Sequence, residues 1–176
     1  MNRQFEEHSA SSGKAPELNV LVLGVGNILL SDEGAGVRAV ERLQQRYCLP
    51  EGLEVVDGGT SGLDLLPLIE GRSHLFIMDV LASKDQQPGE VQRLDLSASP
   101  GYFRQKISPH QLGLSDVFAV AELSGTLPQR ILLFGITPQE LSTGLCLSPE
   151  VAAGLDAAVD LLLPELQALG LRLDPR

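Results

Sequence analysis

Asp32, Glu33, Asp57, Asp79 and His110 are the residues of this 176-residue chain whose types and positions could do chemistry. Each adjoins an apolar run. Gly24-Val25-Gly26-Asn27 turns out of the first run toward Asp32 and Glu33, Leu53–Val56 leads into Asp57-Gly58-Gly59, and Leu75-Phe76-Ile77-Met78 ends in Asp79. His110, in Ser108-Pro109-His110, stands just before a helical pattern. In an open α/β sheet, functional loops gather beyond the carboxyl ends of the strands, so these acids and the imidazole could converge on one edge. Carboxylates with imidazole bind divalent transition metals and leave positions open for a substrate. A carboxylate also serves as general base on water. Acids placed together repel unless a cation joins them. A metal, brought by the protein or by its substrate, is the simplest resolution.

Plainer roles stand beside these. Asp32 or Glu33 could cap the following helix, where negative charge is favoured. Asp57 before two glycines could be a turn former, and His110 a helix-start residue bonded to backbone. Asp79 is harder to dismiss, because so apolar a strand seldom ends in an acid without a partner. His74 begins its strand and reads as surface; His8 falls in the polar leader. Gly24-x-Gly26 after a strand opens like a dinucleotide fingerprint, but Leu29 stands where the third glycine belongs, and Asp57 is too far along for the ribose acid. The glycines more simply let the chain turn tightly and bring Glu33 to the edge.

The elements that must hold these residues follow from hydrophobic periodicity. Asn19–Leu23 reads as a buried strand. Val37, Val40, Leu43 and Tyr47 mark a helix from Gly34 that ends before Pro50. Strands are expected at Leu53–Val56, His74–Val80, Glu90–Leu94 and Arg130–Gly135. A helix over about Ser61–Glu70 has an uncertain register because of Pro67. Leu114, Val117, Phe118 and Ala121 predict a further helix. Ser148-Pro149-Glu150 starts the last one, with Val151, Leu155, Val159, Leu162 and Leu166 as its buried stripe. Alternating strands and helices predict an α/β fold. The fourth strand follows the third without a helix, so one antiparallel neighbour is expected. Residues 1–17 read as a disordered leader, 18–170 as a single α/β domain and 171–176 as a frayed tail.

Composition narrows the partners. Lys and Arg number 13 against 23 Asp and Glu, a net charge of −10. So acidic a chain lacks the positive field that nucleic acids and anionic membranes attract. The apolar stretch 151–171 is broken by Asp156, Asp160, Pro164 and Glu165, too charged for a membrane span. Cys48 and Cys146 form no paired motif and suit a reducing compartment, so a cytoplasmic protein without a secretory signal is expected. No apolar stripe is left over for an interface, and a monomer is favoured.

Together the motifs resemble the hydrogenase maturation endopeptidases, which process the large subunit of nickel–iron hydrogenases. Residues 24–37, from Gly24 to Val37, are similar to the family's opening motif. Val56–Thr60, the Asp79 strand end, Pro88-Gly89, Ser108–Leu114, Gly135–Pro138 and Leu147–Val151 match later parts in order. The resemblance spans roughly residues 19–166, and only residues 80–85 are less typical, which bears on partner choice and leaves the ligand set intact. It implies a three-layer sandwich, a twisted, mostly parallel five-stranded sheet with helices on both faces. It implies removal of a C-terminal extension from the large-subunit precursor after nickel insertion. Glu33, Asp79 and His110 fall on the family's metal-binding positions, and Asp57 on a further acidic position associated with activity. Nickel, presented by the precursor, is the implied metal; Asp57, Glu33 and Asp79 are the candidates for activating water. A non-catalytic nickel metallochaperone for the same precursor and a nucleotide-binding α/β enzyme are the alternatives.

Overall fold

The structure, a computed structural model, describes residues 18–97 and 112–176. The expected leader and the Ser108-Pro109-His110 motif lie outside the described residues. In chain order the elements are β1 (Val20–Val25), α1 (Ala35–Arg46), β2 (Tyr47–Cys48), β3 (Leu53–Gly59), α2 (Leu66–Ile69), β4 (His74–Val80), β5 (Val91–Asp95), α3 (Leu112–Ser124), β6 (Arg130–Ile136), α4 (Pro149–Ala168) and β7 (Asp174–Pro175). Short 3-10 turns at Ser31–Gly34 and Gly62–Leu65 precede α1 and α2.

Five strands form one sheet in the order β3-β1-β4-β6-β5. All neighbours are parallel except β5, which runs antiparallel to β6. The central strands are apolar along their whole length because both faces are covered, as parallel sheets require. Val20, Val22, Phe76, Met78, Leu132 and Phe134 face one core with α1 and α4. Leu21, Leu23, Leu75, Ile77, Ile131 and Leu133 face the other, with Val117 and Phe118 of α3. This is the three-layer architecture expected from the alternation of elements, with its single antiparallel edge.

Two local expectations are corrected. The helix expected over Ser61–Glu70 is a 3-10 turn followed by one α-helical turn, with Pro67 at its start. Proline is tolerated there because the first amides of a helix have no intrahelical acceptor. The tail expected to fray instead pairs with the chain after α1. Tyr47 and Cys48 lie antiparallel to Pro175 and Asp174, and the Arg176 N–H donates to Arg46 O at 2.9 Å. Leu171 packs on the core as the tail leaves α4.

The chain runs from β1 to β3 on one side and then crosses to β4 on the other. The order therefore reverses between β1 and β4, where ligand crevices of open sheets form. Helix α1 begins directly on that point. A Cβ at Gly36 would stand 2.2 Å from Met78 O and 2.3 Å from Val25 O, so only glycine lets the helix come down on both strand ends. Gly36→Ala is expected to lower the urea unfolding midpoint by the equivalent of about 3 kcal/mol.

At the opposite end of the sheet, His74 is half-buried beside Phe76, and its Nδ1 lies 3.0 Å from Ser73 Oγ. Burial, and then the charge of Arg130, hold its pKa below the ordinary 6.5. A depressed folded-state value means the folded chain resists protonation. The stability contribution is present above the unfolded pKa and is lost as pH falls through the folded one. Melting curves from pH 7 downward should show the gap between the parent and His74→Gln narrowing.

Candidate functional site

The turn after β1 carries both adjacent acids, and they go to different places. Gly26, at φ 136°, folds back so closely that a Cβ there would stand 1.9 Å from Glu33 O. A Cβ at Gly24 would meet Gly36 O at 2.5 Å. The space both glycines provide is thus filled by the chain's own backbone and is no cradle for a phosphate, which removes the feature that suggested a nucleotide.

Asp32 is fully buried, and its carboxylate accepts four hydrogen bonds from the segment after β6. Oδ2 takes the N–H groups of Gln139 and Glu140, both at 2.9 Å, and the Ser148 hydroxyl at 2.9 Å. Oδ1 takes the Ser148 N–H at 2.6 Å. The Ser148 oxygen in turn accepts from Val151 N–H, as the cap expected for α4. Neither acid caps α1, whose N-cap is Gly34 with no side-chain bond. Backbone adds to the fastening: Asp32 N–H donates to Glu140 O, Ser31 N–H to Gly144 O and Gly144 N–H to Leu29 O. Ser31 is held at φ 48°, a left-handed conformation costly for a side-chain-bearing residue and persistent only where neighbours enforce it.

Glu33 points elsewhere. With Asp79, from the end of β4, it lines a cavity of about 260 Å³ at the carboxyl end of the sheet. Both acids are buried, and the Asp79 carboxylate accepts the Val80 N–H at 2.7 Å. Gly26, Gly59, Leu65, Leu114, Pro138 and Leu141 supply much of the remaining wall. Among the described residues lining it, Glu33 and Asp79 are the charged ones. Two buried carboxylates at one apolar-walled space are suited to a divalent cation or to a proton transferred from water. Among the described residues no group of three or more metal-binding side chains assembles; His110 is outside them.

Asp57 is exposed at the end of β3, and its carboxylate accepts the Gly59 N–H at 2.9 Å. It thus forms the turn allowed for it, and it does not line the cavity, although Gly59 and Thr60 do. Cys48 and Cys146 are free and exposed. Sequence reasoning missed the Asp32 anchor. Its partners, three backbone amides and the Ser148 hydroxyl more than a hundred residues on, leave no local signal beside it.

Fold and cavity together define an α/β protein with a two-carboxylate site at its switch point. A family model described as hydrogenase maturation protease matches residues 37–165. The hydrogenase 2 maturation protease of Escherichia coli (strain K12) is 44% identical over 159 residues, 90% of this chain and 97% of that protein. The hydrogenase expression/formation protein HupD of Rhodobacter capsulatus is 41% identical over 154 residues, 86% of this chain and 73% of its own. In three dimensions the hydrogenase maturating endopeptidase HybD of E. coli superposes with a TM-score of 0.84, at 44% identity, over 90% of this chain and 98% of that one. The [NiFe] hydrogenase maturation protease HybD of Thermococcus kodakarensis gives 0.66, at 30% identity, over 82% and 96%. The chain belongs to the hydrogenase maturation protease family, as its motifs implied. Among the described residues no helix is long and apolar enough to cross a membrane.

Removing a buried carboxylate leaves its amide donors unsatisfied, at about 1–3 kcal/mol each. Asp32→Ala is expected to lower stability by about 3 kcal/mol or more by that reasoning, whereas Asp57→Ala, which frees one exposed turn amide, should change it by less than about 1 kcal/mol. Urea unfolding of both variants checks the contrast.

Proposed function

We propose that this protein is the endopeptidase that removes the C-terminal extension of a nickel–iron hydrogenase large-subunit precursor once nickel is in place. One observation carries the reading: Glu33, in the 3-10 turn after β1, and Asp79, at the end of β4, are buried and line a single cavity where the strand order reverses. Nickel arrives as part of the substrate. Glu33 and Asp79, with His110, would hold it, and their oxygen and imidazole donors suit a divalent first-row ion. Bound there, the ion would supply Lewis acidity to a carbonyl or anchor the peptide.

The chain's own residues do the rest. The apolar wall, with Leu65, Leu114 and Pro138, excludes bulk water and strengthens each electrostatic contact inside. A carboxylate of Glu33 or Asp79 accepts the proton of the attacking water. Asp57, on the exposed turn beside Gly59, orients peptide or water at the rim. The protein works in the cytoplasm as a single chain, consistent with its unpaired cysteines.

The test is the precursor mass before and after incubation, with nickel-loaded and nickel-free substrate. The expected result is a released C-terminal peptide from the loaded form alone. Glu33→Gln and Asp79→Asn should slow release by about 100-fold or more, as loss of a positioned acid–base group does, while the variants stay folded. An unchanged mass with loaded precursor would leave the metallochaperone; equal cleavage of nickel-free precursor would end the nickel requirement.

A further inference from the structure

We infer that Asp32 is a positioning residue that fixes residues 138–148, whose Pro138 and Leu141 wall the cavity, and that Leu141 receives an apolar side chain of the substrate peptide. The inference rests on the protease reading and adds to it a determinant of specificity.

The segment between β6 and α4 is a long connection whose one ladder contact is a parallel bridge between Leu30 and Gly144. It is not left loose. Its Gln139, Glu140 and Ser148 amides and the Ser148 hydroxyl all converge on one carboxylate. An ionised carboxylate offers about four acceptor sites, and these donors occupy them. Asp32 is also fully buried. It therefore has neither exposure nor acceptor capacity for a substrate proton, and what it does for the reaction passes through the wall it holds.

The wall carries a feature that the core does not use. Leu141 lines the cavity yet is 46% exposed. Leu29, whose carbonyl accepts from Gly144, is 57% exposed, and Leu145, beside Gly144, is 67% exposed. Of these only Leu141 lines the acid-lined cavity, and a large apolar side chain held in water there suits an apolar side chain of an extended peptide. Fixation matters because a side chain already held in place binds without the cost of ordering it. A contact made equally in ground and transition states changes KM and not kcat.

The experiment is a double-mutant cycle with Asp32→Asn and Leu141→Ser, reading kcat and KM for nickel-loaded precursor beside the Kd of that precursor. Each single variant is expected to raise KM and Kd about 10-fold with kcat within about twofold, the signature of lost uniform binding. The double variant should be no worse than the weaker-binding single one, because both act through one contact. A merely structural Asp32 would give effects that multiply. Multiplying effects, a fall in kcat at constant KM, or an unchanged KM for Leu141→Ser would each overturn the inference. Leu141 is half exposed, so its variant folds; if Asp32→Asn does not, Ser148→Ala, which removes one donor from the carboxylate, takes its place in the cycle. A parent chain that releases no peptide sinks the protease reading, and the Kd arm still decides the wall. A parent that cleaves, with a flat cycle, sinks the wall alone.

Discussion

Helix α1 rests on two carbonyl oxygens. Those of Val25 and Met78 end neighbouring parallel strands, and the backbone of Gly36 lies against both with no room for a side chain. The rest of the site depends on this approach. It draws the preceding 3-10 turn down over the crevice between β1 and β4, places Glu33 at the same opening as Asp79, and obliges Gly26 to fold under Glu33. A larger residue at position 36 would lift the helix and separate the acids. The chemistry is thus set by a steric limit several residues away from it.

The charge of −10 looks different once its members have addresses. Among the described residues three acids are buried, Asp32, Glu33 and Asp79. Burying a carboxylate costs several kcal/mol unless hydrogen bonds or opposite charge replace water. Asp32 meets that cost with backbone and hydroxyl donors and is committed to structure. Glu33 and Asp79 meet at a cavity and are suited to chemistry. Half-buried Asp156 and exposed Asp160 instead form ion pairs with Arg42 and Arg46 across α1 and α4, contacts of small worth at a solvated surface.

The sheet was legible because burial on two faces writes a strand as an unbroken apolar run. β1, β4 and β6 therefore stand out, and the stripe of α4 follows from helical spacing with Ser148 and Pro149 marking its start. The antiparallel edge was legible from the missing helix between β4 and β5. Glu33 and Asp79 were legible as strand-end acids. The role of Asp32 was not, because its partners lie more than a hundred residues away and are mostly backbone amides, which carry no side-chain signature. Asp57 was ambiguous for a related reason: the same residue before two glycines writes a turn and a catalytic acid alike. The tail was misjudged because a two-residue ladder is too short for any periodicity.

The bonds to Asp32 join residues 107, 108 and 116 positions apart. Contacts of such long sequence separation close a large loop, at an entropic cost that grows slowly with its length. The alignment of β1, β4 and β6 in the sheet brings residues 138–148 to their anchor. A chain synthesised only as far as Asp79 carries both cavity acids but lacks Pro138, Leu141 and Ser148. The cavity is therefore walled only where two parts of the chain more than a hundred residues apart have met.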